Sequence, residues 1–215
     1  MKKFLLIDDH PIVRSGVKSW LWAQYNAAEI DEADNGKQAI EKIKHKNYDL
    51  LLLDIHMPET NSFDLLKYIL KTKPDSKVLI FSMNSEGMYA KRFLKAGAVG
   101  FISKDAPIAE LQKAVSLTLN NRRYFSDVFI ESVLNEKTAK YDNSNPFYNL
   151  SGREFEIATL LLEGKAVGEI SALLNIKNST TGTYKARIFE KLKVENVFQL
   201  NELAVFYDIK NKPQV

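Results

Sequence analysis

Five short runs, four of them apolar and closed by a polar residue, each followed by an amphipathic stretch, constrain this chain more than any other feature. The runs are Phe4–Asp8 (FLLID), the weaker Ile30–Ala33, Leu50–Asp54 within DLLLLDI, Val78–Ser82 (VLIFS) and Gly100–Lys104 (GFISK). Segments apolar at nearly every position suit strands covered on both faces. Helical patterns lie between them at residues 11–26, 36–46, 62–72, 86–96 and 107–120, most bounded by Gly, Pro, Asn, Asp or Ser. Five repeats of strand then helix predict an α/β fold over residues 1–120, a doubly wound, five-stranded parallel sheet. The functional crevice of such a sheet lies at the carboxyl ends of its strands, near a topological switch point.

The pattern then changes. Residues 121–146, starting NNRRYFSD and ending in NEKTAKYDNSNP, hold no sustained apolar period and read as a linker with a short helix around 127–136. From Leu150 onward the pattern is helical, so residues 147–210 are expected to form an all-α domain. Ser151-Gly-Arg-Glu154 has the spacing of a capping box, opening a helix that Gly164 would end. Further helices read at 166–174, 179–192 and 196–208; two short helices followed by a longer one form a helix-turn-helix arrangement.

Composition narrows the chemistry. With no Cys there is no disulfide, thiolate zinc site or cysteine nucleophile, and His10, His45 and His56 are too scattered for a histidine metal cage, so any metal is held by oxygen. The N-terminal apolar run is too short for a signal peptide, and no stretch reaches the roughly 18 apolar residues of a membrane span, so a soluble cytoplasmic protein is expected. Lys and Arg against Asp and Glu number 17 and 15 over residues 1–120, four and four over 121–146, and nine and eight over 147–215. No segment is strongly basic, so a nucleic-acid contact must be argued from local clustering.

Asp8 and Asp9 close the first run, Asp54 the third, Ser82 the fourth and Lys104 the fifth. If the first and third strands are neighbours, as in a flavodoxin-like order, three carboxylates converge, and their pKa values would rise sharply unless a cation compensates. Mg²⁺ suits such a site, because it takes oxygen ligands and keeps waters for an incoming phosphate. The loop DDHPIVRSG after the first run lacks the glycines of a Rossmann or P-loop phosphate cradle. What is left is a carboxylate nucleophile beside a metal, which suits formation of an aspartyl phosphate.

The stretches LLIDDHPIVRSGV, DLLLLDIHMP, IFSM and GAVGFISKDAPIAEL are similar, in order and spacing, to CheY-like response-regulator receiver domains. The whole chain resembles the NarL/FixJ class, in which a receiver is joined to a LuxR-type helix-turn-helix. This resemblance implies that Asp54 accepts a phosphoryl group from a partner sensor histidine kinase. It implies a Mg²⁺ site of Asp9, Asp54 and the backbone carbonyl of His56, with Asp8 acting through water. Lys104 and Ser82 would contact the phosphoryl group, and Ser82 with Phe101 would form a coupled switch, the ring entering the space the hydroxyl vacates. Phosphorylation would promote homodimerisation and binding to double-stranded DNA. The protein would not be an enzyme beyond accepting the phosphoryl group and slowly losing it. His10 reads as a helix-entry residue beside Pro11. Where receivers usually carry Gly, this chain reads Glu59-Thr-Asn-Ser62, and Asn61 is expected to take the left-handed conformation the turn requires.

In the C-terminal part the resemblance covers LSGREFEIATLLLEG and EISALLNIKNSTTGTYKARIFEKLKV. The recognition helix is expected over Ser179–Leu192, with Ile188 and Leu192 facing inward. Lys177, Thr180, Thr181, Thr183, Tyr184, Lys185, Arg187 and Lys191 are the expected DNA contacts. Gly168, Gly182, Tyr184 and Val197 depart from the usual residues, and three of these changes remove phosphate or base contacts. The departures at Gly182 and Val197 motivate an alternative, a phosphorylation-controlled adaptor whose C-terminal helices bind protein. A hydrolase using the same acids is disfavoured, since no second acid stands two positions after Asp8 or Asp54.

Overall fold

The structure is a computed structural model, which describes residues 1–83, 86–127, 129–131, 145–207 and 209, without the side chains of residues 87 and 88. The chain divides into two compact units, residues 1–132 and residues 133–215.

The first unit runs β1 (Lys3–Ile7), α1 (Pro11–Gln24), β2 (Glu29–Ala33), α2 (Gly36–His45), β3 (Leu50–Leu53), β4 (His56–Met57), β5 (Thr60–Asn61), α3 (Ser62–Thr72), β6 (Val78–Ser82), α4 (Glu86–Lys95), β7 (Gly100–Ser103) and α5 (Ile108–Leu119). Five strands form one parallel sheet in the order β2-β1-β3-β6-β7, the doubly wound arrangement expected. β1 therefore lies beside β3, with Ile7 opposite Leu53.

The buried strands are the apolar ones. Phe4, Leu6, Leu52, Leu79, Phe81 and Ile102 pack with Val17, Leu21, Leu111 and Val115 in one core. The alternating residues Leu5, Ile7, Leu51, Leu53, Ile80 and Phe101 are equally buried, so helices cover both faces. β2 is an edge strand, of which Ala33 alone is buried. Its acids are paired instead: Glu29 and Asp31 with Lys46, and Glu32 with Arg14 and Lys18.

The short hairpin of β4 and β5 carries the turn that lacks glycine. Glu59, with φ of 56°, takes the left-handed conformation there. Asn61 does not, contrary to the expectation. It has φ of −85° and caps α3, its side chain accepting from the Asp64 amide, which satisfies a backbone donor of the first turn.

The described residues of the second unit form a 3-10 turn (Pro146–Asn149), then α6 (Gly152–Leu162), α7 (Val167–Leu173), α8 (Asn178–Leu192) and α9 (Val197–Phe206). The capping box is present: the Ser151 amide donates to Glu154 Oε2 at 2.7 Å, and the Glu154 amide to Ser151 Oγ at 3.3 Å. Gly164, with φ of 85°, follows α6 in the left-handed conformation that glycine adopts without strain. Phe147, Ile157, Leu161, Ile170, Ile188, Leu192 and Leu200 fill this unit's core. Residues 127 and 129–131 are helical, and the rest of the helix expected around 127–136 lies outside the described residues.

Candidate functional site

Ser82 is the last residue of β6, while Asp8, Asp54 and Lys104 sit just past β1, β3 and β7, each held there by a further ladder bond. The Asp8 amide donates to Ala33 O, the Asp54 amide to Ile7 O and the Lys104 amide to Ser82 O. The side chains converge accordingly. Lys104 Nζ lies 2.7 Å from Asp54 Oδ2 and 2.7 Å from Asp8 Oδ2, and all three side chains are buried. Asp54 Oδ1 accepts from the His56 amide at 3.3 Å, and Asp8 Oδ1 from the His10 amide at 2.9 Å. Arg14 Nη1 donates to the Asp8 carbonyl at 2.6 Å, fixing the loop from below.

His10, read from sequence as a helix-entry residue, precedes Pro11 at the start of α1. Its side chain does more than enter the helix. Nδ1 stands 2.8 Å from Asp9 Oδ1 and 3.1 Å from Asp8 Oδ1. Potential ligand atoms of Asp8, Asp9, His10 and Asp54 all lie within 4.8 Å of one another. Three carboxylates facing one ammonium leave excess negative charge, and their hard oxygens fit a divalent ion of the Mg²⁺ type.

Burial pushes the Asp54 carboxyl above its ordinary pKa; Lys104 opposes that rise and the Asp8 charge adds to it. Burial would lower the Lys104 ammonium, but the two carboxylates outweigh it and hold the group charged. Ser82 is fully buried at the end of β6, and Phe101, on the neighbouring β7, is 1% exposed. The His56 ring meets Tyr89 of α4 edge-on, with centroids 5.9 Å apart.

In the second unit, α8 presents a mostly polar outer surface. Ser179, Thr180, Thr183, Tyr184 and Arg187 line a shallow cavity of about 280 Å³. Lys177 precedes the helix and is exposed, while Lys185 places Nζ over the Phe189 ring, 5.4 Å from its centroid. One of the expected DNA contacts is buried, and a second, exposed one has a partner within the domain. Thr181 is fully buried and its hydroxyl lies 2.7 Å from Ser171 Oγ, tying α8 to α7. Lys191 is engaged with Glu154 of α6 at 2.7 Å, so its charge answers a buried acid. Ile188 and Leu192 face inward, as expected. Gly168 and Gly182 have open space where a Cβ would stand.

Residues 4–116 match the family described as response regulator receiver domain, and residues 148–204 match the bacterial regulatory proteins of the luxR family. The chain is 32% identical over 205 residues to response regulator GacA of Pseudomonas syringae pv. syringae, covering 95% of this chain and 96% of that protein. It is 28% identical to response regulator UvrY of Escherichia coli (strain K12), covering 98% and 97%. Among solved structures it resembles RcsB from Salmonella enterica serovar Typhimurium bound to promoter rprA in the presence of the phosphomimetic BeF3-, at 25% identity. The TM-score is 0.62, with 94% of this chain and 97% of that one covered.

Proposed function

This chain belongs to the response regulators that join a receiver domain to a luxR-type DNA-binding domain and regulate transcription, and from that premise we propose that Asp54 is the phosphoacceptor controlling its DNA binding. The family is in general one of transcription factors rather than enzymes. The observation that carries the assignment is the Lys104 ammonium, shared between Asp54 and Asp8 at the adjacent ends of β3 and β1.

In this reading residues 1–120 form the receiver, 121–146 the linker and 147–210 the DNA-binding domain. A partner sensor histidine kinase supplies the phosphoryl group. An Asp54 carboxylate oxygen attacks its phosphorus, the bond from phosphorus to the donor imidazole nitrogen breaks, and the electron pair leaves on that nitrogen. Asp9, Asp54 and the His56 backbone carbonyl would hold Mg²⁺, with Asp8 acting through water, and the ion would supply neutralising charge for the phosphoryl group. Lys104 shifts its ammonium toward the new phosphoryl oxygens, and the Ser82 hydroxyl donates to one of them. Water then hydrolyses the mixed anhydride slowly, and the chain carries out no other turnover.

On the DNA side, we propose as contacts Lys177, just before α8, and Thr180, Thr183, Tyr184, Lys185, Arg187 and Lys191 of α8, all of them exposed or half-buried. RcsB is the relative whose structure is described as bound to a promoter. Phosphorylation is proposed to favour a homodimer that presents two helix-turn-helix units to paired half-sites. Among the described residues no helix is long and apolar enough to cross a membrane, and the proposed location is the cytoplasm.

The test is labelling of the full chain by a small phosphodonor. The expected label is Mg²⁺-dependent, acid-stable and base-labile, and Asp54→Asn abolishes it. A label that survives that substitution in full contradicts the assignment.

A further inference from the structure

β7 is an edge strand of the main sheet, and an edge presents unpaired backbone groups unless something covers them. The chain's own continuation past α5 covers part of this one. Tyr124 pairs with Gly100 in parallel register: the Tyr124 amide donates to the Val99 carbonyl at 3.2 Å, and the Phe101 amide donates to the Tyr124 carbonyl at 3.1 Å. A Cβ on Gly100 would stand 2.5 Å from the Tyr124 carbonyl oxygen, so this approach requires glycine. The Tyr124 ring enters the core beside Phe81, Ile102 and Leu111, and its hydroxyl donates to Glu110 of α5. Two residues on, the Ser126 amide donates at 3.0 Å to Glu86, the first residue of α4.

The position of these anchors carries the argument. One anchor is the Phe101 backbone amide, and the other, the Glu86 side-chain carboxylate, belongs to a residue four positions after Ser82 in the chain, so one anchor is a residue of the proposed switch and the other is near the second in sequence. Three positions beyond Phe101 on the same chain segment is Lys104, whose ammonium spans Asp54 and Asp8.

We propose that the segment from Arg122 to Ser126 is a latch, docked while Lys104 spans the two carboxylates and loosened when Asp54 is phosphorylated. The proposal rests on the phosphoacceptor reading of Asp54. A phosphoryl group competes for Lys104 and Ser82, and any resulting shift of β7 or of the start of α4 acts on hydrogen bonds fitted to their unphosphorylated positions. Because coupling between two equilibria is reciprocal, weakening the latch must also favour the phosphorylated arrangement. The segment leads on to the second unit, so its release is a signal carried by the backbone rather than by a new interface.

The experiment uses the full chain and its Tyr124→Phe variant, with beryllofluoride and Mg²⁺ as the phosphoryl mimic. That variant keeps the ring and loses only the hydroxyl donated to Glu110. Amide hydrogen exchange at Phe101 and Tyr124 is expected to quicken when the mimic binds. Tyr124→Phe is expected to bind the mimic up to about tenfold more tightly than the unaltered chain, the factor for one hydrogen bond to a charged acceptor. A ring that merely packs would lower the unfolding midpoint without changing mimic affinity. Exchange that is unchanged or slowed, or an affinity unchanged in the variant, overturns the latch while leaving the acceptor reading intact. Failure of the unaltered chain to bind the mimic overturns both.

Discussion

Lys104 places its ammonium 2.7 Å from Asp54 Oδ2, in a setting where both side chains are almost fully buried. The same ammonium reaches Asp8 at 2.7 Å, so one cation balances two acids drawn from neighbouring strands. Taken away, it leaves two buried carboxylates facing each other. Lys104→Met is therefore expected to destabilise the first unit by about 3–5 kcal/mol, the usual consequence of removing one partner of a buried pair. Added Mg²⁺ is expected to recover part of that loss, since its charge answers the same oxygens. Urea unfolding of the full chain, with and without Mg²⁺, measures both; unaltered stability in the variant contradicts the balance described.

The two threonines at the start of α8 are expected to behave differently despite being neighbours. Thr180 is exposed and lines the outer cavity, whereas Thr181 is buried against Ser171. Thr181→Val is expected to cost about 1 kcal/mol of stability through the lost hydroxyl pair. Its effect on DNA affinity should be confined to that destabilisation. Arg187→Ala, by contrast, should lower affinity across DNA sequences and reduce the slope of log affinity against log salt by about one unit. Filter binding over a salt series, beside thermal unfolding, separates the two effects.

Gly182 interrupts α8 with no side chain, and nothing stands within 4 Å of where a Cβ would project. Gly182→Ala should stabilise the helix by about 0.8–1 kcal/mol. Gly182→Lys should add a cation to the outer surface and raise DNA affinity most strongly at low salt. If both variants lose stability, the open space seen at Gly182 is wrong.

Glu154 supplies a pH-dependent contribution to the second unit. Burial works to raise its pKa, but the Lys191 ammonium and the Ser151 hydrogen bonds outweigh it and hold the carboxyl below its ordinary value. A lowered native pKa means the stabilisation is fully present above the unfolded-state value, about 4.3, and is lost as pH falls through the lower native value. Protection of the α6 and α8 amides against exchange, taken relative to the intrinsic rate at each pH, should therefore fall on acidification below about pH 4.3. Glu154→Gln should remove that part of the pH dependence while lowering stability near neutral pH.

The sheet was readable in sequence because β1, β3 and β6 are buried on both faces, so burial demanded an unbroken apolar run. β2 gave a weak signal for the converse reason. It lies at an edge, where Glu29, Asp31 and Glu32 are satisfied by cations rather than by burial. The acidic cluster was readable because a parallel sheet brings its strand ends together, which makes position along the chain equivalent to position in space.

Other features were not readable, for identifiable reasons. The pairing of Tyr124 with Gly100 is a single bridge with no repeating pattern to announce it. The left-handed residue of the hairpin is Glu59 because Asn61 is already used as the cap of α3. His10 reads as a helix-entry residue beside Pro11, although its place directly after two acids is the sequence clue to its ring bridging them. Thr181 could have been found. It precedes Ile188 by seven residues and Leu192 by eleven, which places all three on one helical face, and that face is the buried one.

The central claim is that the state of Asp54 controls binding to DNA, and selection of genomic fragments on the purified full chain tests it most directly. The selection is run with and without beryllofluoride and Mg²⁺, with mimic binding verified separately. The account predicts enrichment of a sequence with two paired half-sites, stronger with the mimic. Equal enrichment in both states contradicts control by Asp54, and no enrichment in either, with the mimic bound, contradicts the DNA-binding role and favours C-terminal helices that bind protein.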